Sequence, residues 1–172
     1  LTIKSFDKAR LKRDFQQSFK KEISAAFQKI KAKSIQHLAI DLRDNQGGEL
    51  KNGVYLLQNI MQGPFKVIES LFLVKNNEGR FFKRIPSRKD KIHQPFKDRF
   101  SGSVYLFTNG GSFSCSAIVA QAFKRYQGGL IMGEMTGGSA YTNTGGPNKA
   151  LVLPNSKILV TIPQTQFRLQ AD

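Results

Sequence analysis

Only one cysteine, Cys115, occurs among the 172 residues, so no internal disulfide can form. Histidine is nearly as scarce, with His37 and His93 alone. No His/Cys/Asp/Glu cluster has metal-ligand spacing, and neither a metal nor another cofactor is expected. No apolar run approaches the ~20 residues that a membrane-spanning helix needs. No secretory signal pattern opens the chain. It begins at Leu1 without a methionine and reads as an excerpt of a longer protein, truncated at both ends, whose remainder would carry any targeting signal. Acidic residues are few, 12 against 27 Lys and Arg, for a net charge of +15.

What is present is a globular composition, 40% apolar, in a length that suits one domain with its own core. The positive excess is concentrated. Residues 1–33 hold ten Lys/Arg against three Asp/Glu, and residues 75–99 hold nine against three. A basic stripe of this kind binds phosphates or anionic membrane surfaces, or is simply a solvated helix face and an exposed loop. No nucleic-acid motif accompanies the charge and few aromatics interleave with it. The solvated face is therefore preferred, and nucleic acid is not favoured as a partner.

Along the chain, "LTIKSF" alternates like a short strand and Asp7 is placed to cap a helix. Leu11, Phe15, Phe19, Ile23, Phe27 and Ile30 recur at three and four, which predicts one amphipathic helix of about 25 residues with a lysine-rich outer face. Residues 37–43 form a buried strand, 44–48 a glycine turn, and 50–61 a helix. Residues 65–76 and 79–85 alternate as a hairpin around "NNEG". Residues 86–101 read as an exposed basic loop that leaves His93 in solvent. A strand at 103–108, a helix at 117–126, a strand at 129–134, a long Gly/Thr/Asn loop at 135–148 and a hairpin at 149–169 complete the chain. No repeats occur. Strands alternating with helices indicate an α/β fold with a partly parallel sheet. Three glycine-rich loops each follow a strand, and such loops meet where α/β sheets build their sites.

"NGGSFSCSAIVAQAF", residues 109–123, places small and hydroxyl residues between a strand and a helix. Ser112, Ser114 or Ser116 can cap that helix. Alternatively, a serine at the helix start can attack a carbonyl, with the next N–H and the helix dipole holding the oxyanion. The stretch is not the G-x-S-x-G hydrolase signature. Asp41 and Arg43 read as a satisfied pair supporting the glycine turn, and His37 as structural. Cys115 has no basic neighbour to lower its pKa.

"IDLRDNQGG", "TNGGSFSCSAIVA" and "GEMTGGSAYTNTGG", in that order, resemble the core of the S41 peptidase family, over roughly residues 36–165. This family comprises the C-terminal processing, or tail-specific, serine proteases and their tricorn-like and retinoid-binding-protein-like relatives. The resemblance implies an α/β core of the crotonase/ClpP-like β-superhelix type with flanking helices. It makes 1–172 one catalytic core domain, with residues 1–35 a basic linking helix packed on it. It implies a serine-type peptidase acting on polypeptide substrates, in C-terminal processing or degradation, with room for an oligomer. Ser114 takes the place of the nucleophile and Ser116 that of the second serine. The N–H groups of Cys115 and of the Gly47–Gly48 pair, foremost Gly48, take that of the oxyanion donors. Many members work in the bacterial cell envelope.

The chain also departs from the processing-protease pattern. The lysine expected after "GE" falls on Ser139, which cannot serve as a base at neutral pH. The glutamate expected after Ser-x-Ser is replaced by Ala117–Ile118. Glu134 is positioned to orient a partner or to make a structural hydrogen bond. The "TGGS…NTGG" loop is closer to the tricorn-like branch, which takes its base from a histidine upstream of the part seen here. The alternative function is a non-catalytic relative that binds a peptide or apolar ligand in the same groove. A third is an anionic-surface binder that uses the positive charge.

Overall fold

A computed structural model describes residues 1–74, 81–84, 91–127 and 129–169. Helix α1 spans Lys8–Phe15, α2 Phe19–Ala32, α3 Leu50–Gln58 and α4 Cys115–Gln127. The strands are β1 His37–Asp41, β2 Ser70–Val74, β3 Phe81–Arg84, β4 Ser103–Thr108, β5 Leu130–Gly133, β6 Thr142–Val152 and β7 Leu159–Arg168. They form two sheets. One is parallel, in the order β1-β4-β5; the other has four strands in the order β3-β2-β7-β6, all of its pairs antiparallel. The α/β class expected from the sequence is the architecture found.

The expected single N-terminal helix is two. Asp7 caps α1 as anticipated, its carboxylate accepting the Arg10 N–H at 2.9 Å. The helix then stops at Gln16, which turns left-handed at φ 53°. The Gln16 N–H bonds Lys12 O and the Gln17 N–H reaches back to Leu11 O, the Schellman ending usually made by glycine. Spacing alone could not reveal this stop, because Phe15 and Phe19 keep the four-residue interval across it. Phe19 is buried, but Phe15 is exposed.

Before α1, the chain runs beside β1 rather than forming a full strand. Ile3 N–H bonds Asp41 O and Asp41 N–H bonds Leu1 O, both at 2.9 Å. This parallel edge seats Phe6 in the core, fully buried and 5.4 Å from the Phe19 ring.

The parallel sheet buries one face. Leu38 and Ile40 of β1 and Val104 and Leu106 of β4 point into the core with Leu56, Leu57, Val119 and Phe123 of α3 and α4. On the other face, Tyr105 lies beside His37 and the Arg43 guanidinium sits 5.8 Å over the Phe107 ring. Truncating a fully buried phenylalanine such as Phe6 or Phe123 would cost about 3–5 kcal/mol.

The second half of the supposed 135–148 loop is strand. Thr142–Val152 pairs with β7, with an irregularity between Gly145 and Asn148. Glycine and asparagine are poor strand formers, so the sequence read as loop; the partner strand overrides that preference. The 149–169 hairpin forms as expected. In the 65–85 hairpin, β2 and β3 pair antiparallel; its "NNEG" turn lies outside the described residues.

Candidate active site

Two loops leave the carboxyl ends of the parallel strands and are joined by side chains. After β1 the backbone turns left-handed at Asp44, φ 61°. The Asp44 N–H donates to Asn109 Oδ1, and Asn109 Nδ2 donates back to Asp44 Oδ1, each at 2.9 Å. Asn109 Oδ1 also accepts the Gly111 N–H at 3.0 Å. Asn45, fully buried, carries the structure inward. Its Nδ2 donates to Ile3 O at 2.8 Å and its Oδ1 accepts the Gly47 N–H at 2.9 Å. Its carbonyl accepts the Phe113 N–H at 3.0 Å and the Ser116 hydroxyl at 2.7 Å.

These bonds distinguish the three serines. Ser112 Oγ donates to Leu42 O at 2.8 Å, and Ser116 Oγ to Asn45 O. Both serines are fully buried and tie the loops together. Ser114 is different. It stands immediately before α4 with φ 50°, a left-handed angle that costs a non-glycine residue of order 1 kcal/mol or more. Its carbonyl starts the helix by accepting the Ile118 N–H at 3.0 Å. No hydrogen bond to another described residue engages its hydroxyl, and it lines a cleft of about 400 Å³.

Gly48 and Cys115 line the same cleft. Gly47 holds φ 96° directly against the serine turn. A Cβ there would come within 2.8 Å of both Cys115 N and Ser114 Cβ, and 2.7 Å of Phe113 O. Gly48, at φ 136°, packs on the backbone of Phe6 and Asp7 so closely that any Cβ would overlap it. Among the described residues no acceptor takes the N–H of Gly48 or of Cys115. From the third loop, Gly138 adds its N–H to Ser112 O at 3.4 Å and packs on Ala117. Ile68, Ile118 and Phe167 give the cleft an apolar wall, and Asn143–Gly146 of β6 form its far side.

The titratable groups of the cleft are Glu49, Lys51 and Cys115. Lys51 Nζ stands 3.3 Å from Glu49 Oε2; the contact is an ion pair whose angles fall short of a hydrogen bond, leaving that buried oxygen without one. The Cys115 thiol is fully buried, and burial pushes it up to about 12. Its Sγ–H contacts Glu49 O at 3.6 Å. Such a thiol is inert as a nucleophile.

The other sequence candidates stand apart from this chemistry. Ser139 Oγ accepts the N–H groups of Tyr141 and Thr142, at 3.1 and 3.3 Å, and shapes the third loop. Glu134 accepts the Gly110 N–H at 3.3 Å, a loop-holding contact. Arg43 grips Asp41 through two bonds at 2.9 and 2.8 Å, and that grip, opposed by partial burial, holds the Asp41 carboxyl at about 2. His37 opens β1, away from the loops, with its Nδ1 3.4 Å from the Tyr105 hydroxyl. His93 is not solvent-exposed as expected. It is half-buried, stacked 5.5 Å from Phe65 and joined to it by two backbone bonds, and burial lowers its pKa. Its contact with Phe65 lies far along the sequence and left no local signal. Sequence reasoning also missed Asp44, Asn45 and Asn109, which hold the site together; three Asx residues beside glycine turns were the available signal.

No three His, Cys, Asp or Glu side chains gather as metal ligands among the described residues. No helix among them is long and apolar enough to cross a membrane.

A serine at the head of a helix, packed against a glycine turn beside a cleft, on a mixed α/β scaffold, agrees with the family comparison. The chain belongs to peptidase family S41, whose model matches residues 1–167. No curated protein sequence matches it significantly. Among solved structures, mature CPAF superposes with a TM-score of 0.72 at 16% identity, over 96% of this chain and 42% of that one. A photosystem II D1 C-terminal processing protease superposes with a TM-score of 0.61 at 18% identity, over 98% of this chain and 36% of that one. The chain therefore spans less than half the length of these structures.

Proposed function

We propose that this chain is the nucleophile-bearing core of a serine-type peptidase that hydrolyses peptide bonds in C-terminal processing or degradation of proteins. Ser114 Oγ attacks the scissile carbonyl carbon, and the carbonyl π electrons move onto oxygen. The N–H groups of Cys115 and Gly48 hold that oxyanion, helped by the positive end of α4. Gly47, having no Cβ, lets the glycine turn pack directly on the Ser114–Cys115 backbone. The single observation carrying this reading is that Ser114, alone of the three serines, lines the cleft shared by Gly48 and Cys115 and has a hydroxyl that no described residue holds. The proton leaving Ser114 goes to a base that is not among the described cleft residues. Lys51 is paired with Glu49, and Ser139 is engaged in its own loop. In this reading the whole chain is one core domain of the crotonase/ClpP-like superhelix type, with residues 1–35 packed on it, and it works in the bacterial cell envelope.

The paired Lys51 and the serine at position 139 favour a second reading, a non-catalytic relative that holds a peptide in the same cleft. A fluorophosphonate probe decides between them. Covalent attachment seen by intact mass, and lost in Ser114→Ala, is expected of the peptidase. Absence of attachment to a folded protein would leave the binding domain.

A further inference from the structure

A second cleft, of about 460 Å³, adjoins the first. Lys8 and Lys12 of α1, Lys20 of α2 and Lys51 of α3 all line it, and no carboxylate does. The break at Gln16 produces this arrangement. Gln16–Ser18, which join α1 to α2, line the cleft together with the α1 lysines, one turn apart, and Lys20 of α2. Among the described residues no carboxylate pairs with Lys8, Lys12 or Lys20; the Lys20 ammonium lies 5.3 Å over the Tyr55 ring. Lys51 belongs to both clefts, with Ser114 on its far side. The two clefts thus meet at Lys51.

We propose that this lysine cleft is a specificity subsite for acidic residues of the polypeptide substrate, on one flank of the bond presented to Ser114. The inference rests on the peptidase reading for its substrate and on the cleft itself for its charge preference. Four ammonium groups with one carboxylate neighbour between them, Glu49, make a local anion site rather than a general solvated face. Continuity with the Ser114 cleft favours a peptide over a lipid surface or nucleic acid, since neither would need to reach the serine. An overall charge of +15 would also speed the approach of an acidic chain.

The test uses two dye-labelled peptides that share an apolar segment and differ only in ending in four glutamates or four glutamines. Binding is read by anisotropy on Ser114→Ala protein, so that it does not depend on turnover. The glutamate peptide should bind more tightly, and the advantage should shrink as salt rises. Lys8→Gln with Lys12→Gln should cut that advantage about two- to fivefold per lysine. Lys31→Gln with Lys33→Gln removes the same charge elsewhere on the surface and should leave the advantage intact; thermal melts confirm that both variants fold. Equal binding of the two peptides, or equal loss in both double variants, overturns the subsite. So does loss of affinity for an anionic vesicle or a DNA duplex in the Lys8/Lys12 variant without any loss for the peptide. Turnover of both peptides by the unmutated protein is scored separately. Its absence would count against the peptidase reading, while a charge preference in binding would stand.

Discussion

Asp44 and Asn109, 65 residues apart, hold each other by two hydrogen bonds of 2.9 Å running in opposite directions. One is donated by the Asp44 backbone and one by the Asn109 side chain. The pair fixes the glycine turn against the serine turn. Asn109→Ala removes both bonds and the acceptor of Gly111, and is expected to cost about 1–3 kcal/mol in denaturant unfolding. It should also slow fluorophosphonate labelling of Ser114 by more than the loss of folded protein explains. Unaltered labelling would show that the two loops keep their spacing without the pair.

Gly47→Ala forces a Cβ into the Cys115 and Phe113 backbone at a φ that side chains avoid. A loss of about 1–3 kcal/mol is expected, with labelling of Ser114 abolished. Gly63→Ala serves as the comparison, because nothing lies within 4 Å of a Cβ there. Its melting curve should match the parent to within about 0.5 kcal/mol.

The serines should separate into two effects. Ser114→Ala is expected to abolish labelling while leaving stability unchanged or slightly raised, since its hydroxyl has no partner among the described residues. Ser116→Ala removes the bond to Asn45 O and should cost about 1 kcal/mol while leaving Ser114 reactive. A matched loss of stability in both variants would contradict the geometry.

Asp41 makes stability depend on acid. Arg43 lowers its folded pKa to about 2, below the ordinary carboxylate value of about 3.9. The folded state therefore binds the proton more weakly than the unfolded one. The stabilisation is complete above about pH 4 and fades as pH falls through 2. Asp41→Asn should flatten this part of the acid limb, read as melting temperature at pH 5, 3 and 2. Parallel curves for the two proteins would show that the pair contributes nothing.

Cys115 should be silent toward maleimide at pH 8 in the folded state and react once denaturant unfolds the chain. Its thiol is buried and held in the neutral form up to about 12. Rapid labelling under native conditions would mean that the head of α4 opens readily.

The order of strands and helices was legible because apolar runs such as "HLAID" and "SVYLFT" stand between glycine turns. The serine turn was legible because hydroxyl residues gathered before an apolar helix; Ser114 itself was singled out among them only by the resemblance to the S41 family. The halves of the N-terminal helix were not, because Gln16 adopts a conformation that its residue type does not announce. β6 was hidden behind Gly145, Gly146 and Asn143, residues that only a pairing partner makes into strand. The contacts of Asn45, Asn109 and His93 join distant parts of the chain, and local pattern has no access to them. The lysines of the second cleft were visible as charge but not as a cleft, because their convergence depends on the same unannounced break.

The register of β1 on β4 aligns His37 with Ser103 and Asp41 with Phe107. Those strands are separated by residues 42–102, a loop whose closure slows folding. Until it closes, Ser114 and Gly48 belong to separate pieces of chain. In the peptidase reading, a half-unfolded molecule thus carries the serine without the backbone N–H groups proposed to hold its oxyanion. Under the peptidase proposal, hydrolytic power would arrive only with the pairing of β1 and β4, and the molecule would keep its own chemistry in check until that pairing is made.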